Sequence, residues 1–365
     1  MMEQKISSLQ LLYAIVGYVL GTAMILGSGA EVKQDSWVFI LFGLFCGLIL
    51  MGIYTQLSTY YPNHSLVQMI PKIIGRYLSY PIILLYILHF IYSAARACRE
   101  LGDLIVSTIL TETPVIVVIG SFMILLIYCL SGGVETFCRT GEIVFPVYVL
   151  ALLVIWVLLF TVEGFDLNQL VPILGNGVTP VMKQVLPSVV NFPFGETIVF
   201  MMFFPFLNDK KSVRKIGLFG ILFGGILLTS NSIMMLSVLG PEIYSQTYFP
   251  LLIATQMVTI ADFLERFDVI VILLMVTGVF FKAGGFAFGA AIGITQLFKL
   301  KQSRSVILGV GTIIPPLSLI SASSYVEHIE IGFTVFVPYI HTVLQIILPV
   351  LLLCIAIVRK KLGHS

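Results

Sequence analysis

Charge is what this chain has least of: only 10% of its 365 residues are Asp, Glu, Lys or Arg, while 58% are hydrophobic. A soluble domain must show far more polar surface to water, so that class is excluded, and a mean hydropathy of +1.06 points to lipid as the solvent. The formal net charge is +2 with no basic block, which leaves nothing to grip nucleic acid. Five cysteines, Cys46, Cys98, Cys129, Cys138 and Cys354, show neither CxxC nor Cys/His spacing. They imply neither a disulfide framework nor a metal site and read as packing residues. No GxSxG, HExxH, Walker or Rossmann pattern occurs in a usable context, so no enzyme and no cofactor is expected.

What the chain does have is long apolar runs. At about 20 residues per crossing, ten spans are expected, over 8–30, 36–57, 81–107, 114–131, 143–162, 187–207, 216–238, 269–297, 305–321 and 333–357. The first is too long for the h-region of a signal peptide, about 7 to 15 residues, and is kept as a span. Between spans, 60–76, with Pro62 and Pro71, reads as an interfacial segment. Residues 163–186 read as a polar, Gly/Pro-rich loop, and 239–267, helix-like over 253–263, as a segment lying across one face. With a cytoplasmic N-terminus, fourteen of the twenty basic residues fall inside: Lys5, Lys72, Arg76, Arg139, Lys210, Lys211, Arg214, Lys215, Lys299, Lys301, Arg304, Arg359, Lys360 and Lys361. Lys33, Lys183 and Arg266 fall outside, and this bias predicts that both termini are cytoplasmic. The cluster from Lys210 to Lys215 belongs to that bias first, and to contact with lipid or a partner second.

One span is interrupted. Asn191 to Leu207, NFPFGETIVFMMFFPFL, contains Pro193, Phe194, Gly195 and Glu196: a residue without a backbone N–H, one without a Cβ, and a carboxylate. Proline and glycine break the helix hydrogen-bond ladder. Backbone groups freed at that depth survive only where protein or a water-filled cavity satisfies them. An intramembrane carboxylate marks a functional site by default. A broken helix that forms a mid-membrane binding site is therefore expected here. The run from Phe200 to Phe204 reads as lipid-facing or core packing.

The fold class expected is an all-α polytopic membrane protein with ten transmembrane helices in a single domain. Its first five-helix repeat covers 1–162, its second 187–357, and 163–186 connects them. An odd number of spans per half places the halves in opposite senses, an inverted repeat. The first span of each half carries a break: Gly21, Thr22 and Ala23, followed by Gly27, Ser28 and Gly29, in span 1, and Pro193 to Glu196 in span 6. Interrupted segments at corresponding positions point to a substrate site, where half-helix N-termini offer N–H groups to an anion such as a carboxylate. For span 1 the alternative is tight packing through its glycines.

Span 3 carries Tyr86, His89, Ser93, Arg96, Glu100 and Asp103 at steps of three and four, one helical face. Arg96 with Glu100, and Arg99 with Asp103, are spaced to pair, which reads as an outer-end network that locks helices together. His89 and Ser93 lie deeper and suit a polar cavity wall, although a lone histidine often serves only the core, and a serine in a membrane helix often bonds its own backbone. Lys282, in the middle of span 8, has Gly278, Gly284, Gly285 and Gly289 as neighbours, which let another helix approach. A buried ammonium there needs a carboxylate to hold its charge.

The residues together resemble a known family. ISSLQLLYAIVGYVLGTAMI at the start, Arg99 to Leu101 leading to Thr113 and Pro114, FDLNQLVPILGNG from Phe165 to Gly177, FGE at 194–196 with FP at 204–205, and LERFD at 264–268 are similar, in order and spacing, to the B subunits of spore germinant receptors. These are the endospore germination permeases of the GerAB family, within the amino acid/polyamine/organocation transporter superfamily. The resemblance implies a LeuT-type five-plus-five fold with broken helices 1 and 6, a spore inner-membrane location, A and C partner subunits in a membrane lipid setting, and a small nutrient germinant, commonly an amino acid. In that fold spans 1 and 8 border a cation site, so the Lys282 ammonium is expected where sodium sits in sodium-coupled relatives, with Glu196 as counter-ion. Proton-coupled relatives often carry a lysine in span 5, and this chain has none between Phe145 and Phe160. The expected ligand places its carboxylate against the N–H groups near Gly21, Thr22, Ala23 and Met24. Its side chain points toward Phe194, Gly195, Thr197 and the His89/Ser93 wall. The alternative function is a proton-coupled or exchange amino-acid transporter.

Overall fold

The computed structural model describes residues 5–175, 177–185, 188–258 and 268–362. Among them the chain is helical, with one isolated bridge, between Ile6 and Leu207, and no strand. In order, the α-helices are α1 (Ser8–Leu20), α2 (Ser36–Tyr60), α3 (Leu66–Ile74), α4 (Arg76–Thr108), α5 (Val115–Ser131), α6 (Val134–Leu159), α7 (Val178–Val185), α8 (Val213–Gln246), α9 (Pro250–Gln256), α10 (Asp268–Leu297), α11 (Arg304–Ile320), α12 (Tyr325–Ile331) and α13 (Leu348–Lys361). Six helical stretches, Ala30–Tyr60, Arg76–Thr108, Val134–Leu159, Lys210–Gln246, Val269–Leu297 and Tyr325–Lys361, are long and apolar enough to cross a membrane. Ser8–Leu20, Val115–Ser131 and Arg304–Ile320 are apolar but shorter. With the interrupted stretch 190–206 they are consistent with the ten positions expected.

The centre of the bundle is formed by α1, α8, α10 and 190–206. The most apolar windows of α8 and α10 are 72% buried against 28% for α6, so α6 lies at the rim. Large apolar side chains there and on α5, such as Ile124, Val147 and Val157, are exposed, as lipid-facing surface must be. The interfacial helix α3 buries Leu66, Val67, Met69, Ile70 and Ile73 and exposes Gln68 and Lys72. Several boundaries move. Span 3 begins at Arg76, five residues early. Span 7 runs on to Gln246 through a kink at Gly240, where φ is 70°. The helix expected over 253–263 begins at Pro250 and ends at Gln256; residues 259–267, with all of the 264–268 motif except Asp268, lie outside the described residues.

The first span breaks at Gly21. Its φ is +24°, and a Cβ there would meet Tyr18 O at 2.7 Å and Lys282 Cδ at 3.1 Å, so only glycine fits. Residues 21–29 then run as irregular turns before a 3₁₀ segment, Ala30–Asp35. Side chains satisfy the freed carbonyls: Asn231 Nδ2 donates to Met24 O (2.8 Å), Tyr244 OH to Ser28 O (3.1 Å) and Ser36 Oγ to Gly29 O (2.6 Å).

The second break is centred one residue before Pro193, on Phe192 (φ −126°, ψ 117°). Proline excludes the preceding residue from the α region and supplies no N–H of its own. Beyond it the backbone winds as 3₁₀ turns over Gly195–Met202 and Phe204–Phe206. A third irregular segment was not expected: Gly332–Ile347 is a π-helix containing Pro338. Three fully buried tyrosines take carbonyls from these last two segments. Tyr18 OH donates to Glu196 O (3.1 Å), Tyr54 OH to Gly195 O (3.1 Å) and Gln345 O (2.6 Å), and Tyr86 OH to Leu344 O (2.6 Å). Irregular backbone is thus tolerated at this depth because protein groups complete its hydrogen bonds.

Candidate ligand site at the helix breaks

Helix α10 reaches the first break at Gly278, where a Cβ would lie 2.6 Å from Gly21 O. One turn further on, Lys282 Nζ sits 2.8 Å from Glu196 Oε2, with the two side chains 3% and 5% exposed. The same ammonium donates to Thr22 Oγ1 at 3.3 Å and lies 3.7 Å over the Phe192 ring. Span 1, span 6 and span 8 therefore converge on one buried cation, held by a carboxylate, a hydroxyl and an aromatic face. At the first break the Thr22 and Ala23 N–H groups have no acceptor among the described residues; the ladder resumes with Met24 N–H to Leu20 O (2.9 Å).

Beside this pair is a small cavity of about 30 Å³, bounded by Ser93, Arg96 and Glu100 of α4, by Glu196 and Lys282, by Leu26 and Phe192, and by the last span from Ile329 to His341. A space of that size holds a water or two. Its charges balance: Arg96 and Lys282 against Glu100 and Glu196. The expected Arg96–Glu100 pair does not form. Arg96 instead donates through both terminal nitrogens to His328 O (3.1 Å each), and Glu100 Oε1 faces His328 Nε2 at 3.6 Å. Arg99 does pair with Asp103 (2.6 Å) and also donates to Ser318 O and Ala322 O, a tie between α4 and α11.

The expected site residues separate into two groups. Ser93, Glu196, Lys282 and, through its hydroxyl, Thr22 gather at the cavity, and Arg96 and Glu100 join them there. Arg96 lies twelve residues before the end of α4, about 18 Å in, so it is no end-cap. Gly21 is the hinge against which Gly278 packs. Ala23 and Met24 are buried beside the cavity without lining it. Phe194 faces α2, where Gly47 makes room for it, and Gly195 packs on Gln345. Thr197 Oγ1 returns to Phe194 O (2.5 Å). His89 stands one layer back, 3.4 Å from Gln345 Nε2 and packed on Phe336 and His341. Sequence reasoning missed Leu26, Phe192, Ile329, Phe333, Phe336 and His341; the proline after Phe192 was the one available signal.

Two larger hollows flank the cavity. On the face away from the termini, a vestibule of about 240 Å³ shares Leu26, Phe192, Ile329 and Phe333 with the cavity wall. Those four side chains line both the cavity and the vestibule, and the Phe192 and Phe333 rings meet edge to face at 6.4 Å. On the face that carries the termini, a cleft of about 810 Å³ is lined by Lys5, Lys210, Phe206, Phe288, Lys301 and Arg304, among others. Rings fill the distance between: Tyr18–Phe200 at 5.2 Å, Phe200–Phe203 at 5.3 Å, Phe203–Phe288 at 4.8 Å and Phe206–Phe288 at 6.1 Å.

Discontinuous spans meeting at a buried charge cluster, with a hollow on either side, define a membrane protein of transporter type. The backbone matches the crystal structure of MhsT in complex with L-phenylalanine with a TM-score of 0.70, over 99% of this chain and 90% of that one at 13% identity, which gives the chain the LeuT-type fold. The family model described as spore germination protein matches residues 5–326. Spore germination protein KB of Bacillus subtilis is 32% identical over 99% of this chain and 97% of its own length. Spore germination protein YndE of the same organism is 25% identical over 98% of each. The chain belongs to the spore germination permease family, and it is an integral membrane protein of transporter-like, non-enzymatic character.

Proposed function

We propose that this protein is the germinant-sensing subunit of a spore nutrient receptor, binding an amino acid or similar small nutrient at mid-membrane between the breaks of spans 1 and 6. It sits in the spore inner membrane with both termini cytoplasmic and works beside A and C subunits. The observation that carries this reading is the small, charge-balanced cavity where both breaks meet Lys282. The two unpartnered N–H groups at Thr22 and Ala23 suit a ligand carboxylate, and the bound L-phenylalanine of MhsT supports the ligand class. Lys282, fixed between spans 1 and 8, takes the role of a bound cation with Glu196 as counter-ion.

A cavity of about 30 Å³ has no room for an amino acid, so occupancy requires the Phe192/Phe333 partition to move. Phe192 rests on the Lys282 ammonium, so a ligand that engages Lys282 or Glu196 also loosens the partition. The shift such binding produces is limited to its difference in affinity for the closed and rearranged states. The test is saturable binding of a radiolabelled L-amino acid panel to purified protein in nanodiscs. Binding lost in Thr22→Leu, without accumulation in liposomes, supports the sensor. The cleft on the terminus side favours a second reading, an exchange or proton-coupled transporter, for which uptake against a gradient is the diagnostic result.

A further inference from the structure

We infer that the amino acid taken by this cavity carries a small, uncharged side chain that donates hydrogen bonds, an amide or a hydroxyl, in preference to an aliphatic one. The inference rests on the amino-acid reading above. Its first support is Ser93. Five buried serine and threonine hydroxyls elsewhere in the spans turn back on their own helix: Thr55 to Met51 O (2.7 Å), Ser58 to Tyr54 O (3.1 Å), Thr229 to Gly225 O (2.8 Å), Ser237 to Ile233 O (2.8 Å) and Thr295 to Ala291 O (2.7 Å), while Ser232 meets Tyr244 OH (3.4 Å). Turning back in this way is the usual habit of serine and threonine in membrane helices. Ser93 is 3% exposed, yet its Oγ has no partner among the described residues, and it lines the cavity.

Two more cavity-lining groups share this state. Glu100 is 5% exposed and its Oε2 is unpartnered; His341 is 2% exposed and both its ring nitrogens are unpartnered. An ionised carboxylate oxygen accepts only, so what Glu100 lacks is a donor, while an imidazole offers one donor and one acceptor. Groups this buried are normally satisfied, by protein or by ordered water. A ligand with an aliphatic side chain would displace such water and return nothing. Sites built around unpaired polar groups discriminate strongly against analogues that leave them unpaired. The charge balance sets the other half of the class. Two cations and two anions already cancel in this water-poor space, so a zwitterion with a neutral side chain preserves the balance and a charged side chain upsets it.

Isosteric pairs test this directly: L-threonine against L-valine and L-asparagine against L-leucine, titrated calorimetrically into the full-length protein in nanodiscs. The expected result is that the polar member of each pair binds at least about ten-fold tighter, and that Ser93→Ala and Glu100→Gln each shrink that ratio. Ser93→Ala alone suffices should Glu100→Gln fail to fold. L-valine and L-leucine binding as tightly as their partners would overturn the inference and leave the amino-acid site standing. A preference that survives both substitutions would overturn it as well, since this wall would not be its source. If none of the four binds, the amino-acid reading falls and the inference with it.

Discussion

The two ways out of the central cavity are built on different scales. Toward the face away from the termini, four side chains line both the cavity and the vestibule, and one of them, Phe333, is 38% exposed. Toward the termini stands a column of rings, buried from Tyr18 to Phe288 and half-buried at Phe206, fastened at its base. Ile6 N–H donates to Phe206 O (2.9 Å), Asn208 N–H to Ile6 O (3.0 Å), and the hydroxyls of Ser8 and Ser212 meet at 3.0 Å. The stretch after the second break is therefore tied to the start of α1. A thin partition can yield to a few rotamer changes, whereas the thick plug yields only if α1 and 195–212 move as a unit. This arrangement is thus poised to open on one side.

Breaking the thick side should have the largest effect. Phe203→Ala removes a fully buried ring from the plug and should lower stability by about 3–5 kcal/mol, read as a large fall in the thermal midpoint of detergent-purified protein, with no gain in ligand on-rate. Of similar size is the pivot between the two sides. Lys282→Met strands a buried carboxylate, at a cost of about 3–5 kcal/mol, and adding Glu196→Gln should recover much of the loss; a double variant no better than the single would mean that the pair is not coupled. A smaller effect is expected for Tyr54→Phe, which frees the Gly195 and Gln345 carbonyls, about 1–3 kcal/mol by the same assay. Smallest in stability is the thin side. Phe333→Ala should cost less than about 1 kcal/mol, because the ring is already part-exposed, yet should raise the amino-acid on-rate several-fold in stopped-flow binding. An on-rate unchanged in Phe333→Ala and raised in Phe203→Ala would reverse the comparison.

Much of this was legible in the chain. Gly21 and the Pro193–Glu196 cluster marked both breaks, because glycine and proline act on the backbone locally and the apolar runs around them fix the depth. That each intramembrane charge needs a partner was legible in the residues; that Lys282 pairs with Glu196 came from the family resemblance. The thin partition was not legible: Phe192 and Phe333 sit in apolar runs where nothing distinguishes a lid from a core residue. The π-helix of the last span escaped because apolar periodicity does not separate π from α winding, although Pro338 was in view. Arg96 and Glu100 were misjudged because their spacing of four fits an intrahelical pair, whereas the His328 carbonyl, 232 residues away, is the stronger claim on Arg96. The residue types were plain; their facing directions came only with the packing.

The most direct test of the account is the accessibility of Ser93. Replacing the free cysteines Cys46, Cys98, Cys129, Cys138 and Cys354, introducing Ser93→Cys, and applying a membrane-impermeant thiol reagent to oriented proteoliposomes asks which face leads to the cavity. The account predicts labelling from the face away from the termini, faster in Phe333→Ala and suppressed by a bound amino acid. Labelling only from the face that carries Lys5 and Lys210, indifferent to any amino acid, would contradict it.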